Sequence, residues 1–144
     1  MTNFSSFDLS DFTPYLLVMA AEAASLEFQQ HYKQKYGMLR TEWRVLFHLG
    51  QYGPMHAKEI CDRSRIHKTK VSRAVAALET KRYLRRDTIE EDRRQERLSL
   101  TKQGGLVYKD LFDQATRFDA ALMEQFETEE GVVLKRCLRI LAGL

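Results

Sequence analysis

A chain of 144 residues fits one domain, and at that size it can bury roughly 68–70% of its unfolded surface and fold without staples. Its two cysteines, Cys61 and Cys137, stand far apart with no metal-ligand spacing around them, which argues against a disulfide framework or zinc finger and for a reducing cytoplasm. The net charge of +3 hides a lopsided distribution: from His56 to Lys102, 14 Lys/Arg face 8 Asp/Glu, while the remainder holds 9 against 12.

The start, M-T-N-F-S-S-F-D, lacks the basic and apolar regions of a signal peptide. No run approaches the ~20 apolar residues of a membrane span, so a cytoplasmic protein without a membrane partner is expected.

In chain order, residues Asp11 to Tyr36 read as a helix with Phe12, Leu16, Met19, Ala23 and Leu26 on one stripe, stopped by Gly37. Thr41 is placed to cap a second helix running to His48 or Leu49, carrying Trp43, Leu46 and Phe47, with a break over Gly50 to Pro54. A short third helix is expected at about Ala57 to Arg63, and a fourth over Lys68 to Arg82. In the fourth, Val71, Val75 and Leu78 recur at i, i+4, i+7 as a core stripe. At 100° per residue the opposite side holds Arg65, Thr69, Ser72, Arg73 and Ala76, a small, cationic, hydrogen-bonding face suited to a major-groove floor. Cations are densest here: Arg63, Arg65, Lys68, Lys70, Arg73, Lys81, Arg82, Arg85 and Arg86 face the single acid Glu79, the electrostatic footprint of a nucleic-acid surface.

Tyr83 to Asp87 is expected to pair with Glu96 to Leu100, with Thr88 to Gln95 as the loop between them. The stretch D-R-R-Q-E-R-L-S-L-T-K-Q-G from Asp92 to Gly104 reads as a basic hairpin tip, a strand and a helix start. Arg93 and Arg94 at such a tip suit a minor groove, where negative potential favours inserted arginine. Thr101 caps a long helix striped by Leu111, Ala115, Phe118 and Leu122, and Thr128 opens a last one with Leu134, Leu138 and Leu141. Two short helices joined tightly, the second basic outside, followed by a strand pair, make a winged helix-turn-helix. The expected fold is thus mainly α with a small β-hairpin wing: one domain over 1–144, the winged module at about 41–100, and dimerisation helices at about 9–36 and 102–144. The three flanking helices carry more apolar surface than so small a module can cover, so a partner is expected.

With those residues placed, the chain resembles the MarR family of bacterial winged helix-turn-helix transcription regulators along nearly its full length. The D-R-R wing, the L-x-L-T-x-x-G segment from Leu98 to Gly104, and I-H-K-T-K-V-S-R-A-V-A-A-L-E from Ile66 to Glu79 carry the likeness. The resemblance implies a homodimer holding two winged modules over a pseudo-palindromic operator of double-stranded DNA, and in many members a small-ligand or oxidant sensor. Two positions depart from the family pattern: His67 stands where an Asp-like cap is usual, and Tyr83 where a Gly is common.

Roles follow. Thr69, Ser72 and Arg73, with Arg65 on the same face, are expected at base edges, Lys68 and Lys70 at phosphates, and Arg94 with Arg93 in the minor groove; Asp92 anchors the wing arginines and Arg97 belongs to the wing strand. Tyr15, Tyr36, Arg40, Trp43, Arg44, Phe47 and His48 gather aromatic surface and cationic donors near the first two helices, a composition for a small aromatic or anionic effector. Ordinary core packing explains Trp43 and Phe47, four apart on one face, equally well.

No phosphate-cradling glycine loop, H-E-x-x-H or G-x-S-x-G is present, so neither enzyme chemistry nor a cofactor is expected. His31, His48, His56 and His67 are scattered and read as solvent, core or helix-start residues rather than metal ligands. Cys61 and Cys137 read as small buried hydrophobes. The peroxide sensors that the family includes use a cysteine near the start of the chain, and none precedes Cys61. The reading is a DNA-binding transcriptional repressor released by a small ligand. Its alternatives are a redox- or metal-responsive regulator on the same scaffold, and a winged-helix protein-interaction module, against which the basic 63–86 segment speaks.

Overall fold

The computed structural model describes residues 6–89 and 92–144, and the side chains of residues 89 and 92–95 stand outside that description. After a 3-10 turn at Leu9–Asp11, six helices and three strands follow: α1 (Thr13–Tyr36), α2 (Arg40–Tyr52), β1 (Met55–His56), α3 (Ala57–Ser64), α4 (Lys68–Thr80), β2 (Leu84–Ile89), β3 (Asp92–Leu100), α5 (Lys102–Met123) and α6 (Thr128–Ala142). The mainly helical fold with a small β wing is as expected, and its sheet is antiparallel in the order β1-β3-β2.

The core forms where stripes from several elements meet. Val45, Leu46 and Leu49 of α2 pack with Val71, Ala74, Val75 and Leu78 of α4, closed by Met55, Ile60, Leu84, Leu98, Val107 and Leu111. Each large side chain so buried contributes roughly 1.5–3 kcal/mol. The expected stripe of α4 is therefore its inner face, and that of α5 packs through Leu111, Ala115 and Phe118.

Several boundaries moved for local reasons. The helix expected from Asp11 begins at Thr13, because Asp8 accepts from the Ser10 N–H and closes a separate turn first. α2 starts at Arg40 rather than being capped by Thr41: the buried Glu42 carboxylate reaches back to the Leu39 N–H, satisfying one of the free donors at the helix start. Gly50, expected to break the chain, lies within α2, where a methyl group would overlap the Tyr108 ring. β1 was not expected at all, since two residues carry no periodicity; it pairs Met55 with Leu98 and His56 with Arg97.

α4 ends at Thr80, and the turn after it is made by Arg82 at φ 64, so the left-handed residue precedes Tyr83. The two expected strands do pair, but one residue out of the expected register, with Leu84 opposite Leu100 and Asp87 opposite Arg97 and Tyr83 left outside β2, and the strands run further. Asp92 to Gln95, expected in the loop, belong to β3, and the register slips where Thr88 opposes Glu96 while Ile89 opposes Asp92. Below the wing, Thr101 caps α5 by accepting from the Gly104 N–H at 3.0 Å. Any side chain at Gly104 would overlap the Tyr83 carbonyl, the physical reason for the T-x-x-G spacing.

The stripes of α1 and α6 are a different matter. Phe12, Leu16, Met19 and Leu26 are 43–66% exposed, and no residue of α6 is buried within the chain. Cys137 on α6 is exposed and Cys61 half-buried, so neither is the enclosed hydrophobe expected. No helix among the described residues is long and apolar enough to cross a membrane.

Candidate nucleic-acid interface and effector cleft

Turning Val71, Val75 and Leu78 inward forces Lys68, Thr69, Lys70, Ser72, Arg73 and Ala76 outward, and all six are exposed. The α4 start is secured by the residue that departs from the family pattern: His67 Nδ1 accepts from the Thr69 N–H at 3.2 Å, so an imidazole takes the place of a carboxylate cap.

Intramolecular partners thin the dense run of cations. Lys81 turns back to the buried Glu42 at 3.7 Å, tying the end of α4 to the start of α2. Arg86 is held between Glu79 and Glu96, each at 3.0 Å, bracing the wing against α4; these acids, Glu96 foremost, strengthen its hold on its proton. Arg85 lies 3.4 Å from Asp87, and Arg63 stacks over the Tyr52 ring at 4.3 Å. Lys68, Lys70, Arg73 and Arg82 have no acidic partner among the described residues. The positive potential thus concentrates on the outer face of α4 and the turn that follows.

Arg65 is a correction. It was expected on the α4 face, yet it precedes the helix, capping α3 in the left-handed region at φ 57, and its Nη1 donates to the Ala142 carbonyl at the end of α6. The 100° extrapolation fails there because residues 65–67 are a turn, not helix. Arg97 is exposed on β3 opposite Asp87. The side chains of Arg93, Arg94 and Asp92 lie outside the described residues.

Of the seven residues expected around an effector, three share a cleft. Arg40, Trp43 and Arg44 line a cavity of about 440 Å³ with Phe28 and Tyr32 of α1 and Phe118 of α5. Rings interlock across it: Phe28 lies 5.3 Å from both Trp43 and Phe118, edge-on or tilted. Arg40 and Arg44, four apart on α2, have no acidic partner among the described residues, and Asp119 at the rim is engaged by Lys135 at 2.5 Å. Burial first, and the Arg40 charge second, lower the proton affinity of Arg44 below the ordinary guanidinium value, and a negative charge beside the pair would favour both cations.

The other four sit elsewhere. Tyr15 is exposed on the first turn of α1. Tyr36 donates to Asp110, with Lys35 on the same carboxylate at 2.9 Å. Phe47 packs edge-on between Trp43 and Tyr108, and His48 Nδ1 lies 2.6 Å from its own helix's Arg44 carbonyl. Phe28, Tyr32 and Phe118 were missed because they join the cleft from helices other than α2, although Phe118 stood on the expected α5 stripe. A larger hollow of about 670 Å³ between α3, α4 and the wing is walled by Arg86 and Glu96, already paired with each other. No cluster of His, Cys, Asp or Glu among the described residues is arranged to hold a metal ion.

Comparison with known proteins places this geometry. The uncharacterized HTH-type transcriptional regulator YwoH of Bacillus subtilis is 26% identical over 107 residues, 74% of this chain and 77% of that protein. The structure of BpsR from Bordetella bronchiseptica, described in a study of how 6-hydroxynicotinic acid regulates its DNA binding, shares the fold with TM-score 0.86 at 19% identity, covering 96% of this chain and 98% of that one. A MarR/EmrR family transcriptional regulator from Acinetobacter superposes with TM-score 0.84 at 29% identity over 95% of this chain and 96% of its own. The MarR family model matches residues 36–95, the stretch from the end of α1 through α4 to the middle of the wing, and with these likenesses the chain is similar to the MarR family of winged helix-turn-helix transcriptional regulators in that stretch and in overall fold.

Proposed function

We propose that this regulator is a cytoplasmic homodimeric repressor that binds a pseudo-palindromic operator and is released when a small aromatic anion fills the α1–α2–α5 cleft. The observation that carries the DNA reading is the outer face of α4. Lys68, Thr69, Lys70, Ser72 and Arg73 are exposed together, with cations that no intramolecular acid neutralises among the described residues. Thr69, Ser72 and Arg73 approach base edges, Lys68 and Lys70 the flanking phosphates, and the wing arginines Arg93 and Arg94 the minor groove. The exposed stripes of α1 and α6 support the dimer, because apolar faces of this extent occur at obligate interfaces. Two-fold symmetry then sets half-sites about one helical turn, ~10 bp, apart. The effector reading is supported by two guanidinium groups that have no acidic partner among the described residues and stand among aromatic walls, and by BpsR, whose DNA binding is regulated by an aromatic acid.

The test is an anisotropy titration on the promoter fragment next to the protein's own gene. Arg73→Ala should cost roughly 1–3 kcal/mol and relax sequence preference, whereas Lys70→Ala should weaken all sequences alike and flatten the salt dependence. Unchanged operator affinity for Arg73→Ala, or salt-independent binding by the native chain, would sink the assignment.

A further inference from the structure

The turn between α3 and α4 is anchored at two consecutive residues by parts of the molecule far from it in sequence. Arg44 Nη2 donates to the Ser64 carbonyl at 2.9 Å, and the next residue, Arg65, donates to Ala142 at the end of α6. Between these anchors Arg65 holds a left-handed backbone (φ 57), a conformation that a non-glycine residue keeps only when its surroundings enforce it. Ser64 is itself buried, its hydroxyl donating to the Ile60 carbonyl at 2.6 Å and accepting from the Ile66 N–H at 3.2 Å. One residue further, His67 caps the recognition helix. Arg44 therefore reaches two places at once: its side chain lines the aromatic cleft, and one of its five N–H donors secures the entry to α4.

We infer that Arg44 is the residue through which cleft occupancy reaches the recognition helix: a carboxylate in the cleft takes the guanidinium fork for itself, draws it from the Ser64 carbonyl, and frees the turn that sets where α4 begins. This rests on the cleft being an effector site and goes further by naming the element that the effector moves. The exchange has a physical basis. A bidentate arginine–carboxylate pair is charge-assisted and stronger than a single bond from the same group to a neutral carbonyl. The Ser64 carbonyl is the anchor that yields, since nothing else binds Arg44 in place among the described residues. Arg40, without such a bond to the turn, contributes attraction for the anion but no transmission. Linkage then requires that whatever the effector takes from DNA affinity, DNA takes from effector affinity.

The experiment uses the full-length protein, 4-hydroxybenzoate as probe, and three readouts. These are quenching of Trp43, the chain's single tryptophan, heat of binding, and amide exchange at Arg65 and Ile66, whose N–H groups are bonded to Cys61 and Ser64 in this turn. In the native protein the acid should speed exchange at both amides and weaken operator binding within the usual coupling range of about 5–150-fold. In Arg44→Lys, exchange should already be fast without ligand, and the acid, though still bound, should change operator affinity less than about twofold. Arg40→Lys should weaken binding of the acid yet show the full effect at saturation. Full coupling in Arg44→Lys, with the acid bound, overturns the relay and leaves the effector site intact. Absence of both heat and Trp43 response in the native protein at millimolar acid removes the effector site itself, and the relay with it. Should Arg44→Lys fail to fold, the native protein decides alone: exchange at Arg65 and Ile66 that the bound acid leaves unchanged overturns the relay.

Discussion

The winged module and the α1/α6 arms were built from the same kind of apolar stripe, yet one closes on itself and the other does not. In α4 the stripe finds α2 and the sheet, and Val71 and Leu78 lose all contact with solvent. In α6 an equally regular stripe leaves Leu138 41% and Leu141 60% exposed. Periodicity reports that a face is apolar and where it points; what covers it is decided by the elements within reach. The module is a finished core, and the arms keep their apolar stripes exposed.

Truncation inside the core and charge on the arms sharpen this contrast most. Leu78→Ala should lower unfolding stability by about 2–5 kcal/mol in denaturant titration. Leu138→Glu should leave the module's near-ultraviolet signature in place while raising the dissociation constant of the proposed dimer more than about 100-fold in sedimentation, because a carboxylate would be buried unpaired in that interface. If Leu138→Glu instead unfolds the module as Leu78→Ala does, the division between closed core and open arms is wrong.

A smaller effect is expected at the seam where the core meets the exposed basic face of α4. His67→Ala removes the cap of α4 and should cost about 1 kcal/mol, with His67→Asp restoring it; equal melting temperatures for all three would mean the imidazole does no capping.

The smallest lies on the arms' attachment. Lys35, and after it Tyr36, hold the Asp110 carboxyl below the ordinary carboxylate range. A depressed folded pKa stabilises above the unfolded value of about 3.9, and the gain disappears as pH falls through the folded value. The ion pair is largely solvent-screened, so Asp110→Asn should lower stability by only a few tenths of a kcal/mol at neutral pH and remove that part of the acid slope.

What the chain discloses without its structure follows the range of each interaction. The α4 stripe, the Gly37 stop, the Thr101 cap and the existence of the wing hairpin, though not its register, were legible because each is written in a short stretch of chain. The Glu42–Lys81 tie, Gly50 beneath Tyr108 and Arg65 on Ala142 were not, since each joins residues about 40 to 77 positions apart. The exposed basic face of α4 was readable for the same reason that its buried stripe was. The cleft was half-readable: Arg40, Trp43 and Arg44 lie on one helix, while Phe28, Tyr32 and Phe118 arrive from two others.

The two-residue strand β1 has a consequence for how such a molecule searches DNA. By pairing Met55 and His56 with Leu98 and Arg97, and through His56 Nδ1 lying 3.2 Å from the Glu96 carbonyl, it rivets the wing to the front of α3. Arg86 rivets it again to α4. A wing fastened at two points cannot swing independently of α4, so on the proposed operator the pair would meet adjacent grooves as one rigid stamp. In the proposed dimer, fidelity to a single half-site would then rest on the side chains of the stamp's face, while the distance between two half-sites would be left to the scaffold that carries the two stamps.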